Sequence, residues 1–252
     1  MVVGIIPARM ASTRFPGKPL AKIKGRSMIE HVYRRSLRAK YIDDIYIATC
    51  DREISAEAEN FGAKTIMTSD THTRGTDRVA EAAQQIRAEI IINIQGDEPL
   101  VDPASLDKAI VHMKANSGIR AINLVSPITN WEVFTNQGVV KTVVDKDNKV
   151  LYFSRQPVPT CSKESFQKGL KQIGIYLFRK EFLLEFSSWE ETNLEIIEKI
   201  DMLRILENGI DIDAVEVSDM VSVDTPEDLR EAEGLMEQDQ LFQDIFKVDC
   251  AQ

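Results

Sequence analysis

Cysteine is scarce in this chain of 252 residues: Cys50, Cys161 and Cys250 are the only three, at no paired spacing and without a CxxC. That excludes a disulfide framework and a cysteine-based zinc site, and it fits a reducing, cytoplasmic setting. Histidine is equally sparse, at three. His31 and His112 fall inside helical patterns and His72 has no nucleophile near it in sequence, so neither a catalytic triad nor a histidine metal centre is indicated. Long apolar runs are missing too. The first, Val2 to Ile6, gives way almost at once to Arg9, too short for a signal peptide or a spanning helix, and no membrane segment is present elsewhere. A basic surplus is also absent: the net charge of −9 leaves no general face for nucleic acid. Neither GxxxxGK[ST] nor GxGxxG occurs, which removes the two commonest phosphate-binding loops.

What is there is an anomaly of charge. In an acidic protein, the stretch Gly4 to Lys22 carries Arg9, Arg14, Lys18 and Lys22 among Gly17 and two prolines of the loop. Such a segment cannot run on as helix or strand. A small anion, rather than a polyanion, is the natural occupant. With 43% hydrophobic residues the chain can bury a large α/β core. Apolar stretches at Val2–Ile6, "DDIYIATC", "KTIM" and "EIIINIQ" alternate with helical patterns at "SMIEHVYRRSLRA", "ISAEAENFG" and "TDRVAEAAQQI", which predicts a mostly parallel sheet with helices on both faces. Ser27 is the expected N-cap of the first helix. From about Ala121 the rhythm changes. "AINLVSPI", "VVKTVVD", "KVLYFSR" and "QIGIYLFR" lie close together as strands, the middle pair joined as a hairpin. A helix over "NLEIIEKIDMLRILENG", a strand at "IDIDAVEVS" and a helix starting at Pro226 follow, with 237–252 a further helix or a tail. We expect one domain over residues 1–252, with about 121–190 as an inserted antiparallel lobe.

Three groups of residues carry chemistry. Pro7, Ala8 and Arg9 end the first strand and lead into Arg14 and Lys18, a backbone-rich cationic loop suited to a triphosphate. "IINIQGDEPLV" delivers Gln95, Asp97 and Glu98 to the carboxyl end of a strand, where open α/β sheets bind ligands, and a single aspartate there with a partner elsewhere suffices for magnesium. The partner candidate is Asp224 in "VSVDTPEDL". It precedes a helix start, with Thr225 as cap and Pro226 at the first turn, so it serves as a lead-in residue, a ligand or both. Arg74, Gly75 and Thr76 form a turn ahead of a helix, suited to a base edge or phosphate.

These pieces in this order closely resemble the 3-deoxy-manno-octulosonate (KDO) cytidylyltransferases, the CMP-KDO synthetases: PARxxSTRxPGKPL, then RGTDR, QGDEP, YFSR and VDTPEDL, over Val2 to about Met236. The resemblance implies a Rossmann-like three-layer α/β/α nucleotidyltransferase fold. It also implies a magnesium-dependent transfer of CMP from CTP to the anomeric hydroxyl of an eight-carbon sugar acid, in lipopolysaccharide inner-core synthesis. By that resemblance Arg9, Arg14 and Lys18 hold the triphosphate, with Arg9, Lys18 and Asp97 the catalytic set. Pro7, Ala8, Arg74, Gly75 and Thr76 frame the nucleoside, Asp97 and Asp224 bind Mg2+, and Gln95 and Arg155 face the sugar. It further implies a homodimer built on the inserted lobe.

The departures from the family pattern cluster on the sugar side. Gln172 stands where histidine is usual, Tyr176 is retained, and Asp201-Met202 replaces a Glu-Gln pair; the segment between Pro159 and Gln172 is also shorter. Met202 removes a hydrogen-bonding group that a sugar hydroxyl would use, and Asp201 suits an ammonium. The expectation is therefore a modified acceptor, 8-amino-3,8-dideoxy-manno-octulosonate ahead of KDO itself. A nine-carbon sialic-type acid and a catalytically silent nucleotide-binding module are the alternatives; QGDEP with VDTPEDL opposes the first, and intact Lys18, Asp97 and Asp224 oppose the second.

Overall fold

A computed structural model describes residues 1–11 and 15–246. The described chain is α/β and separates into two compact units, one of the described residues within 1–107 together with 220–246 and one of residues 108–219. The antiparallel lobe expected at about 121–190 falls within the second unit, which extends further at both ends.

The first unit is built on four parallel strands in the order Ile90–Ile94, Val2–Ala8, Asp44–Thr49, Lys64–Met67. Every residue of Val2–Ala8 and of Ile90–Ile94 is buried, as expected of strands covered on both faces. The connecting helices are Met28–Ser36, Arg52–Asn60 and Gly75–Gln84. Ser27 takes the N-cap position of the first, without the side-chain capping bond that its identity suggests. Gly62, at φ 81, turns the chain after the second helix, where a Cβ would be strained. A short hairpin, Lys22–Ile23 with Arg26–Ser27, follows the cationic loop and has no sequence signal of alternation.

The carboxyl-terminal part of this unit starts with the anticipated capping box. Thr225 Oγ1 accepts from Asp228 N, Asp228 Oδ2 accepts from Thr225 N, and Pro226 opens the helix Pro226–Gln238. That helix buries Ala232 and Met236 against Ile23, Met28 and Val223. A final helix, Gln240–Phe246, lays Phe242 and Phe246 on the ring of His31. The remainder of the expected 237–252 segment lies outside the described residues.

In the second unit Ile212–Glu216 runs parallel to Ala121–Ile128, which pairs antiparallel with Gly169–Arg179 through a bulge between Gln172 and Tyr176. Lys141–Val144 and Val150–Ser154 form the expected hairpin, with Asn148 at φ 60 in its turn. One expectation is corrected. The single helix read over "NLEIIEKIDMLRILENG" is two, Asn193–Glu198 and Met202–Glu207, broken at Lys199 with φ 58. The break has a use, because it frees the Glu198 carbonyl to accept from Arg155 Nε at 2.8 Å.

Candidate active site

The site lies in the first unit, at the carboxyl ends of two neighbouring strands. Val2–Ala8 and Ile90–Ile94 pair in parallel with Ile5 beside Asn93, so the residues that follow, Pro7-Ala8-Arg9 and Gln95-Gly96-Asp97, emerge side by side. Their approach is tight. A Cβ on Gly96 would sit 2.9 Å from the Pro7 carbonyl oxygen, and one on Gly75 3.1 Å from Gln95 Oε1. At Gly96 the obstacle is backbone, and at Gly75, where helix Gly75–Gln84 starts, the Gln95 and Pro7 side chains would have to give way. Between the helix and the strand ends opens a cleft of about 270 Å³, floored by Pro7, Ala8 and Gly96 and walled by Arg74, Gly75 and Gln95.

The cationic loop is held at its neck. Met10 N donates to Asp51 Oδ2 at 2.7 Å, and Gly17 N donates to Met10 O at 3.1 Å. Gly17, at φ 71, then turns the chain into a short 3-10 segment that aims Lys18 into the cleft. There its Nζ donates to Asp97 Oδ2 at 2.6 Å and to Asp224 Oδ1 at 3.1 Å. Burial by itself pulls the ammonium pKa down, yet the two carboxylates, Asp97 foremost, outweigh it and hold the group above its ordinary 10.5. The lysine is therefore a cation at neutral pH.

Asp224 is delivered by packing and by backbone bonds. Its neighbour Val223 is fully buried in the apolar cluster with Met28 and Met236, and Val223 N donates to Asp97 O at 2.8 Å. Asp228 Oδ2 takes the Asp224 N–H as well, at 2.9 Å. Cap and site residue are thus one construction. Oxygen atoms of the two aspartates converge on a single atom, Lys18 Nζ, so one small cation can reach both. Among the described residues no group of three or more His, Cys, Asp or Glu side chains is arranged to hold a metal. Two carboxylates completed by phosphate oxygens and water are nevertheless a donor set suited to magnesium.

Arg9 reaches across the cleft mouth, its Nη1 donating to the His72 carbonyl at 3.3 Å. Arg74 lines the same wall, while Arg14 lies outside the described residues. Thr76 is a correction: it is 1% exposed, accepts from Asn93 Nδ2 at 3.3 Å and supports the helix from inside rather than lining the cleft. Gln95, read as a sugar-side residue, lines the cleft beside Gly75 and Pro7. Arg78 and His72 are among the lining residues not anticipated as site members. Arg78 is buried, with Nη1 donating to Thr68 Oγ1 and Ser69 O, and its position one turn after Arg74 is the signal that could have found it. His72 pairs with Glu81, whose carboxylate also accepts from Ser69 N. Together these fasten the segment before the helix.

The remaining sugar-side candidates belong to the second unit. Arg155 has its Nε on Glu198 O and its Nη1 on Gln137 O at 3.3 Å, and its N–H donates to Glu198 Oε2 at 2.8 Å. Behind it the buried ammonium of Lys141 donates to the carbonyls of Asn136, Val139 and Arg155. Gln172 Nε2 donates to Asn123 Oδ1 at 2.7 Å, Tyr176 is buried, and Asp201 is partly exposed at the start of the helix Met202–Glu207. Met202 is corrected. It is 0% exposed and packs in the core, so its thioether has no surface to present to a dissolved sugar.

Comparison with known proteins follows the same lines. A family model described as cytidylyltransferase matches residues 3–212. A 3-deoxy-manno-octulosonate cytidylyltransferase of Geobacter sulfurreducens is 45% identical over 240 residues, 90% of this chain and 96% of that one. One from Trichlorobacter lovleyi is 43% identical over 249 residues, 94% of this chain and 99% of the relative. Among solved structures, CMP:2-keto-3-deoxy-manno-octonic acid synthetase complexed with CTP superposes with a TM-score of 0.89 at 36% identity, covering 94% of this chain and 98% of that one.

Proposed function

The chain belongs to the 3-deoxy-manno-octulosonate cytidylyltransferase family, and from that membership and the cleft geometry we propose that it transfers CMP from CTP to an eight-carbon 3-deoxy-ulosonic acid. The anomeric oxygen attacks the α-phosphorus, the bond to the bridging oxygen breaks, and pyrophosphate leaves. One observation carries the reading: Lys18, Asp97 and Asp224 meet at the mouth of one cleft.

No enzyme nucleophile is needed, because phosphoryl-type transfer is governed by positioning and by neutralising charge. Arg9 and Lys18 supply cationic donors to the triphosphate, from a loop pinned at Met10 and Gly17. Pro7, Ala8, Arg74 and Gly75 form the walls for the nucleoside, and Arg78 keeps them in place. Asp97 and Asp224 would hold Mg2+, which when bound neutralises phosphate charge and eases approach of an anionic oxygen. In the second unit, Arg155 is the candidate clamp for the sugar carboxylate, its backbone and Nε already fixed by Glu198.

For the acceptor we favour 8-amino-3,8-dideoxy-manno-octulosonate over KDO. That preference rests on Asp201, a partly exposed carboxylate able to pair with an ammonium, since buried Met202 drops out as a direct contact. The product would be the activated sugar for lipopolysaccharide inner-core synthesis, and the working form a homodimer, which light scattering reads directly. Pyrophosphate release from CTP and Mg2+ against KDO, the 8-amino sugar and sialic acid tests reaction and substrate together. Turnover with either eight-carbon acid supports the proposal. Turnover with sialic acid alone, or none, refutes it, and KDO used as efficiently as its 8-amino form removes the amino preference.

A further inference from the structure

We infer that Lys18 is a built-in competitor for the divalent cation: its ammonium and the metal exchange for the same oxygens of Asp97 and Asp224, and the exchange delivers Lys18 to the phosphates. The inference rests on the assignment of those aspartates to the metal made above. Its basis is geometric. Nζ lies 2.6 Å from Asp97 Oδ2 and 3.1 Å from Asp224 Oδ1, at the point where the two carboxylates converge and where a cation shared by both must sit. An ammonium and a divalent cation cannot both occupy it. The lysine side chain is only 14% exposed, so it does not hold these oxygens as a passing surface contact.

Three structural features make the exchange easy. Lys18 is anchored by its backbone in the Gly17-led turn, with Leu20 N bonded to Gly17 O and Ala21 N to Lys18 O, so only its flexible stem needs to rotate. The aspartates, in contrast, are fixed by the Val223–Asp97 backbone bond and the Asp228 cap, and keep their convergence when the ammonium leaves. Arg9 lies on the cleft wall and bonds to the His72 carbonyl rather than to either carboxylate. A triphosphate arriving with its metal would then offer the displaced ammonium a new anion, while the cation takes the old ones. Metal and nucleotide binding are thereby coupled, and by linkage the coupling is reciprocal.

The test measures Mn2+ binding to the whole protein, without nucleotide, by calorimetry or by the spin-resonance signal of free Mn2+. A cation at this range shifts a carboxylate's proton affinity by about one to three log units, and the same repulsion acts on a divalent cation, so Lys18→Met should bind Mn2+ at least about tenfold more tightly than the native chain. Arg9→Met removes one charge from the same cleft but not from the carboxylates, and should change affinity less than about twofold. Equal or weaker binding by Lys18→Met, or equal tightening by Arg9→Met, overturns the exchange. Adding Asp97→Asn to either background should abolish the site. Should Mn2+ binding survive Asp97→Asn, or be absent throughout, the metal assignment itself has failed, and the inference falls with it. A measurement on the native chain guards against a variant that does not fold. Saturating Mg2+ should raise acetylation of Lys18 by an N-hydroxysuccinimide ester several-fold, against Lys146, 89% exposed, as the internal standard. No rise overturns the proposal.

Discussion

Acidifying this protein from pH 7.5 to 5.0 should force a proton onto an imidazole that has nowhere to solvate it. His31 is 0% exposed, and its Nε2–H donates to the Ile23 carbonyl at 2.8 Å, which leaves Nδ1 to take any second proton. Nδ1 is buried and has no hydrogen-bond partner among the described residues. Phe242 and Phe246 cover the ring at 5.8 and 5.0 Å between centroids. Burial foremost, then the positive charges of Arg35, Arg26 and Arg34, lower the pKa from 6.5 to about 4, against a raising effect from the Ile23 bond. Because the folded value lies below the unfolded one, the stability it represents is complete above pH 6.5 and is lost as pH falls toward 4. Linkage puts the loss at about 2 kcal/mol between pH 7.5 and 5.0, and about 3 kcal/mol below pH 4. Urea unfolding at the two pH values should show it, measured against His31→Gln, which keeps an N–H for Ile23 and never titrates. The native chain should lose about 2 kcal/mol more than the variant over this interval; losses equal to within about 0.5 kcal/mol would refute the argument. Carboxylates that titrate in the same range cancel in the comparison.

Asp97→Asn or Asp224→Asn should each abolish Mg2+-dependent pyrophosphate release while leaving thermal unfolding little changed; near-native turnover removes that residue from the metal site. Lys18→Ala should raise the KM for CTP far more than the KM for the sugar, and an unaltered CTP dependence contradicts its phosphate role. Gly96→Ala forces a Cβ to 2.9 Å from the Pro7 carbonyl, so it should cost about 1–3 kcal/mol in denaturant titrations and slow turnover with it. In the second unit the Arg204–Glu195 pair is almost wholly buried, at 4% and 0% side-chain exposure, with bonds of 2.6 and 2.7 Å. Arg204→Met removes the cation from that buried carboxylate and should cost about 3–5 kcal/mol; a loss under about 1 kcal/mol would place the pair among surface ion pairs in worth.

The strand–helix alternation was legible because burial on both faces writes unbroken apolar runs such as Ile90–Ile94, and because punctuation such as Gly62 and the Thr225–Asp228 box is local. The nucleotide-side motifs were legible for a related reason: backbone approach at Gly96 leaves no room for a Cβ, and the strand-end aspartate and the loop cations are fixed in type by charge. Residues that act from behind were not. Arg78 and Asp51 bind backbone and hydroxyl groups that no short motif specifies. On the other side, Met202 read as a lost sugar contact because its family counterpart is polar, although periodicity alone does not say which face of a helix is buried. The break at Lys199 was hidden in an uninterrupted helical pattern, since the Arg155 bond that takes the freed Glu198 carbonyl comes from a residue 43 positions away.

By itself the sequence determined the fold class, the family and the chemical types at the site, since each is written in local spacing and in side-chain identity. Only the tertiary structure decided that Lys18 sits between Asp97 and Asp224, partners 79 and 206 positions away. It alone turned Thr76 and Met202 inward. Those outcomes depend on which surfaces are removed from water and which charges then find one another, and neither is fixed until distant segments have packed.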